Sequence, residues 1–125
     1  MAFGSEQPTI LVVEDNGLLR AEITEALRSA GCRVLEAPSG EAAVALIRAD
    51  AGIQMLVTDI QLGGNLTGWD VADTAVSTDQ EMAVIYISGN TVDKGRMVAR
   101  SRFIAKPYRV ADIVAACLQT FESRR

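Results

Sequence analysis

The chain has 125 residues, 49% of them hydrophobic, and a net charge of −4 at neutral pH. That is the size of one domain able to bury a core, and the acidic balance argues against nucleic acid as the main partner. With no histidine anywhere, a Ser-His-Asp triad, a histidine-ligated metal and a phosphohistidine carrier are excluded, and apolar runs of four to six residues are too short to span a bilayer.

Residues 1–8 read as a flexible leader without the basic start and apolar stretch of a secretory signal, so a cytoplasmic location with no membrane partner is expected. Thr9 to Val13 is a continuous β-rich apolar run, the pattern of a strand buried on both faces. Gly17 to Ala30 carries Leu19, Ile23, Ala26, Leu27 and Ala30 on one helical stripe, and Gly31 fits its stop. Cys32 to Glu36 is a short second strand; Ser39 caps a second helix reaching about Ala49. Gln54 to Asp59 is a third strand, followed by loop punctuation at Gly63-Gly64-Asn65. A helix over Gly68 to Val76, a strand over Ala83 to Ser88 and a short helix over Thr91 to Ala99 come next. Arg102 to Ala105 is the last strand, and Val110, Ile113, Val114, Cys117, Leu118 and Phe121 mark an amphipathic final helix. Cys32 and Cys117 sit in separate apolar patterns, suggesting small core residues rather than a metal site or disulfide.

Five strands alternating with five helices predict an α/β fold, a doubly wound five-stranded parallel sheet, in one domain over residues 9–122 with a tail at 123–125. The chain closes near the end of its last helix, so an output domain and a helix-turn-helix are not expected.

The functional signal lies where the apolar runs stop. The first strand ends in Glu14-Asp15, the third in Thr58-Asp59, the fourth in Ser88-Gly89, and the fifth leads into Lys106-Pro107. In open α/β sheets ligands bind at that carboxyl edge, where strand order reverses. In the flavodoxin-like order 2-1-3-4-5, strands one and three are neighbours, so Asp15 and Asp59 would face each other, with Ser88 and Lys106 closing one side. Clustered carboxylates need a compensating cation, and an all-oxygen donor set suits a hard ion such as Mg²⁺. A carboxylate beside Mg²⁺ and a lysine is equipped for phosphoryl transfer, with Asp59 as nucleophile. Each piece taken singly has a plainer reading: Asp15-Asn16 as a helix cap, Thr58-Asp59 as a strand exit, Lys106-Pro107 as a turn. It is their placement on one edge that favours a site.

Over nearly its whole length the chain resembles a receiver domain of two-component response regulators. The resemblance is carried by Ile10-Leu11-Val12-Val13-Glu14-Asp15, Val57-Thr58-Asp59, Ile87-Ser88-Gly89 and Phe103-Ile104-Ala105-Lys106-Pro107-Tyr108. It implies a phosphorylation-activated signalling switch rather than an enzyme. Asp59 would accept a phosphoryl group from a sensor histidine kinase or phosphotransfer protein. Mg²⁺ would be held by Asp15, Glu14, Asp59 and the main-chain carbonyl of Gln61. Lys106 would pair with the phosphoryl group, Ser88 would move toward it, and Phe103 would turn inward as the aromatic partner of that motion. The Lys106–Pro107 bond is expected to be cis. Output would pass through the face made by the fourth helix, fifth strand and fifth helix, or the domain would serve as a phosphate sink.

Three departures from the family pattern stand out. Glu14 replaces the commoner first Asp. Gly63 stands where a proline is frequent, in a loop (Leu62 to Thr67) about one residue longer than the pattern, which is expected to be flexible and to alter loss of the phosphoryl group. The interval from Ser88 to Lys106 is about one helical turn short. That segment begins a run from Lys94 to Arg109 with six of the twelve basic residues and no acid, which suits an acidic partner surface or a solvated positive face. Competing readings are a Mg²⁺-dependent phosphohydrolase with an aspartyl nucleophile, disfavoured because Ile60 and Gln61 supply no second acid after Asp59, and a pseudo-receiver that only binds. A flavin-binding module is disfavoured because Glu14-Asp15 would repel a flavin phosphate.

Overall fold

A computed structural model describes residues 3–4, 6–49, 52–90 and 93–122 of the chain. In chain order it contains β1 (Thr9–Val13), α1 (Gly17–Ser29), β2 (Arg33–Ala37), α2 (Gly40–Ala49) and β3 (Met55–Asp59). There follow α3 (Gly68–Thr78), β4 (Ala83–Ser88), a 3-10 turn at Lys94–Arg96, β5 (Ser101–Ala105) and α4 (Val110–Glu122). The strands form one parallel sheet in the order β2-β1-β3-β4-β5. This is the doubly wound order expected from the sequence.

The two-residue period of the strands divides the core into two layers. Ile10 and Val12 of β1, Met55 and Val57 of β3, and Ile85 and Ile87 of β4 point to one face. There they meet Ile23 and Leu27 of α1 and Ile113, Cys117 and Phe121 of α4. Leu11, Val13, Leu56, Val84 and Tyr86 point to the other face and meet Ala43 and Ile47 of α2 and Trp69, Val71 and Ala75 of α3. All five residues of β1 and of β3 are buried, which is why these strands read as continuous apolar runs. Each fully buried aliphatic side chain contributes about 1.5–3 kcal/mol by leaving water. Both cysteines are free and buried.

Local signals set the helix ends. The Asn16 side-chain oxygen accepts from the Leu18 and Leu19 amides at 3.0 and 3.1 Å, and Gly31, at φ 104°, follows the C-cap Ala30. Ser39 Oγ accepts from the Ala42 amide at 3.1 Å, as its capping role requires.

Two expectations are corrected. The helix expected over Thr91 to Ala99 is absent among the described residues; only the 3-10 turn forms, and positions 91 and 92 lie outside those residues. The reason is local. Met97 and Val98 are adjacent rather than spaced by three or four, so they define no helical stripe, and Gly95 disfavours a helix interior. Residues 93–100 instead lie as a strap across α3 and β4. Arg96 sits 5.5 Å over the Trp69 ring and 3.7 Å from Asp73, the Val98 amide donates to the Tyr86 hydroxyl at 3.3 Å, and Arg100 meets Glu81 at 2.8 Å. Among the described residues the (βα)5 count therefore falls to five strands and four α-helices. The second correction concerns the leader: Phe3 is buried, donates its amide to the Ala30 carbonyl at 2.9 Å and meets Phe121 edge-on at 5.7 Å.

Candidate functional site

β1 and β3 lie side by side where the strand order reverses, so their carboxyl ends bring Glu14, Asp15 and Asp59 together. One carboxylate oxygen from each lies within 4.8 Å of the others. Glu14 and Asp59 are buried and Asp15 is exposed, giving an acidic pocket with one open side. Asn16 takes the helix-capping role, which leaves the Asp15 carboxylate free of it.

Each carboxylate is held differently. Asp59 Oδ1 accepts from the Gln61 amide at 3.0 Å, and Oδ2 receives Lys106 Nζ at 2.5 Å. Glu14 Oε2 accepts from the Asn16 amide at 3.0 Å, while Glu14 Oε1 is buried with no hydrogen-bond partner among the described residues. Burial is the main cause that pushes the Glu14 carboxyl up to about 7, with the neighbouring Asp15 and Asp59 adding to it against the Asn16 amide and Lys106. Burial works against the Lys106 ammonium, but its hydrogen bond to Asp59 and the charges of Asp59 and Glu14 outweigh that and raise its pKa.

β4 and β5 supply the remaining groups. Ser88 is buried at the end of β4, where its Oγ accepts from the Asn90 amide at 3.0 Å and its carbonyl from the Lys106 amide at 2.9 Å. The Lys106–Pro107 bond is cis. Phe103 lies in β5 beside Tyr86 and is 36% exposed, so in this state it faces solvent rather than the site. The structure thus brings Glu14, Asp15, Asp59, Lys106 and Ser88 to one edge and leaves Phe103 apart from them. Gln61 gives its amide to Asp59.

Two supporting residues escaped the sequence reading. Arg20 donates to the Glu14 carbonyl at 2.9 Å and pairs with Glu36 at 3.3 Å, bracing the end of β1 from α1. Gly68 closes the loop after Asp59: its amide donates to the Ile60 carbonyl at 2.8 Å, and an added Cβ would lie 2.2 Å from the Asp59 carbonyl oxygen. Only glycine tolerates that approach. The Thr67–Asp70 spacing that caps α3 was its available sequence signal.

The donor set fits a hard divalent cation. Three carboxylates converge against one lysine, the Glu14 carboxyl is forced toward its neutral form, and Glu14 Oε1 lacks any donor among the described residues. A cation at this point would satisfy all three conditions.

Comparison with known proteins agrees with this geometry. The family model "Response regulator receiver domain" matches residues 10–118. Two-component response regulator ORR5 of Oryza sativa subsp. japonica is 27% identical over 116 residues, covering 88% of this chain and 86% of that protein. The crystal structure of a response regulator receiver protein from Sinorhizobium medicae WSM419 superposes with a TM-score of 0.90 at 31% identity, over 96% of this chain and 98% of that one. A receiver domain protein from Methanospirillum hungatei JF-1 shares the fold, at 18% identity and a TM-score of 0.84 over 95% and 97% of the two chains. Among the described residues no helix is long and apolar enough to cross a membrane. The chain belongs to the response regulator receiver domain family.

Proposed function

We propose that the chain is a phosphorylation switch in which Asp59 accepts a phosphoryl group from the phosphohistidine of a sensor histidine kinase or phosphotransfer protein. The observation that carries this reading is the buried Asp59 carboxylate, held between Lys106 Nζ and the Gln61 amide and next to Glu14 and Asp15. Mg²⁺ would be held by Glu14, Asp15, Asp59 and the Gln61 carbonyl, where it supplies positive charge to a phosphoryl group's oxygens.

The chain's own groups do the rest. An Asp59 carboxylate oxygen attacks phosphorus, the phosphorus–nitrogen bond of the donor breaks, and the imidazole nitrogen leaves with the electron pair. Lys106, already against Asp59, pairs with the transferred group as charge builds on its oxygens. Among the described residues Ser88 Oγ accepts from the Asn90 amide and donates to none, so its hydrogen would be available to donate to a phosphoryl oxygen. That motion would be linked to Asn90, whose amide Ser88 holds, and to Phe103, which would leave solvent. Output then passes through the strap, β5 and α4, the surface that replaces the helix-bearing face anticipated from sequence. Its basic residues favour an acidic partner. On this reading the domain is a switch or a phosphate sink rather than an enzyme acting on external substrates, and it works in the cytoplasm.

The test is chemical location of the acyl phosphate. After incubation with a small phosphoramidate donor and Mg²⁺, borohydride reduction should convert Asp59, and no other residue, to homoserine in the peptide map. Reduction at a different acid would overturn the assignment.

A further inference from the structure

The loop between Asp59 and α3, expected to be loose because of Gly63 and its extra length, is tied down along its course. Its ends are joined by the Gly68 amide on the Ile60 carbonyl, and Thr67 and Asp70 form a reciprocal cap. Its middle lies beside two carboxylates. An added Cβ on Gly63 would lie 3.3 Å from Asp15 Oδ2, so the Asp15 carboxylate fills the space where a side chain at 63 would begin. At the next residue, an added Cβ on Gly64 would lie 2.7 and 2.9 Å from the two Glu41 carboxylate oxygens, and the Asn65 amide donates to Glu41 Oε2 at 3.0 Å. Glu41 stands in the first turn of α2. Gly40, its neighbour, would place a Cβ 2.7 Å from Leu66 Cβ, so the α2 start and the loop are in close contact over Leu66 as well.

This arrangement has a directional logic. Asp15 is the exposed member of the acidic cluster and has little of the burial that fixes Glu14 and Asp59. What lies against it is the Gly63 backbone, and what fixes that backbone is the Glu41 carboxylate one and two residues further on. The same loop begins with Gln61, whose amide reaches Asp59. Groups that orient ligating carboxylates without touching a metal commonly alter its affinity by about 10–100-fold.

From this geometry we infer that Glu41 is a positioning residue for the acidic site. By holding Asn65 and seating against Gly64, it keeps the loop from Gln61 to Gly63 in place against Asp15 and Asp59. The inference rests on the proposed Mg²⁺ site and adds its regulation by α2: whatever moves the α2 start moves the loop that borders Asp15.

The test is Mg²⁺ affinity, read by calorimetry on wild type, Glu41→Ala, Glu41→Gln and Asp15→Asn, with Asn65 amide exchange measured in metal-free protein. Glu41→Ala should weaken Mg²⁺ binding about tenfold and speed exchange at Asn65. Glu41→Gln keeps an acceptor oxygen and should retain most of both, which separates positioning from loss of charge. Gly64 has no positive φ, so Gly64→Ala strains no backbone; its methyl would displace the Glu41 carboxylate and weaken binding to a similar degree. In the Glu41→Ala background the same methyl should add nothing further. Equal Mg²⁺ affinity in wild type and Glu41→Ala would overturn the inference while leaving the Asp59 chemistry standing, as would a Glu41→Gln loss as large as that of alanine. Absence of binding by wild type, or binding unchanged in Asp15→Asn, would overturn the metal reading itself.

Discussion

Tyr86 and Phe103 are partners in the β4–β5 ladder and share a sheet face, yet Tyr86 is completely buried and Phe103 is 36% exposed. The difference marks where cover ends. The Trp69 ring packs at a 47° tilt on Tyr86, centroids 4.8 Å apart, and the strap reaches the Tyr86 hydroxyl through Val98; no helix extends over β5 on this side among the described residues. Tyr86→Ala should therefore cost about 3–5 kcal/mol and Phe103→Ala only about 1–2 kcal/mol in urea unfolding. Equal losses would place Phe103 in the core.

The strap is held by Arg96 together with the half-buried Met97 and Val98, which pack on the core. The Arg96 guanidinium covers the Trp69 ring and faces Asp73, an arrangement worth about 1 kcal/mol at a partly exposed surface. Arg96→Ala should shift Trp69 emission and speed amide exchange at Val98, with little change at the central strands. Unchanged exchange at Val98 would show that Arg96 does not anchor the segment.

At the start of α3, Thr67 and Asp70 cap each other: the Asp70 amide donates to Thr67 Oγ1 at 3.3 Å, and the Thr67 amide donates to Asp70 Oδ2 at 2.8 Å. Thr67→Ala should cost about 1 kcal/mol, a fall of roughly 4 °C in Tm. The Thr67 backbone hydrogen bond holds the Asp70 carboxyl below its ordinary 3.8. The ionised Asp70 contribution is therefore complete above that pH and is lost as pH falls through the lowered native value. The Tm gap between wild type and Asp70→Asn should narrow only at such acidic pH; narrowing near neutrality would contradict the cap.

Tyr108 carries a buried hydroxyl with no hydrogen-bond partner among the described residues, close enough to Glu14 for that charge, after burial itself, to push the phenol pKa up. Leaving a polar group unpaired costs about 1–3 kcal/mol, so Tyr108→Phe should be neutral or raise stability by about 1 kcal/mol. A clear destabilisation in urea would reveal a partner for the hydroxyl.

The sheet order and the acidic edge were legible because both rest on short-range pattern. Apolar runs that end in Glu14-Asp15, Asp59, Ser88 and Lys106 locate the strand ends directly, and parallel topology then gathers those ends. What was not legible depends on contacts distant in sequence. Phe3 joins the core through Ala30 and Phe121, so its composition alone resembled a leader. The strap before β5 lacks a helical stripe of its own, and its path is set by Trp69, Asp73 and Tyr86, which the local sequence does not reveal. Glu41 meets Asn65 across 24 residues, and nothing in the local sequence of α2 marks that glutamate from any other exposed one.

The central claim is that Asp59 carries the phosphoryl group in a Mg²⁺-dependent reaction. The most direct measurement is intact mass after incubation with a small phosphodonor, for wild type and Asp59→Asn, with Mg²⁺ or with a chelator. The account predicts one phosphoryl increment in wild type with Mg²⁺ and none in the other three conditions. An increment that persists in Asp59→Asn, or none in folded wild type with Mg²⁺, would contradict it.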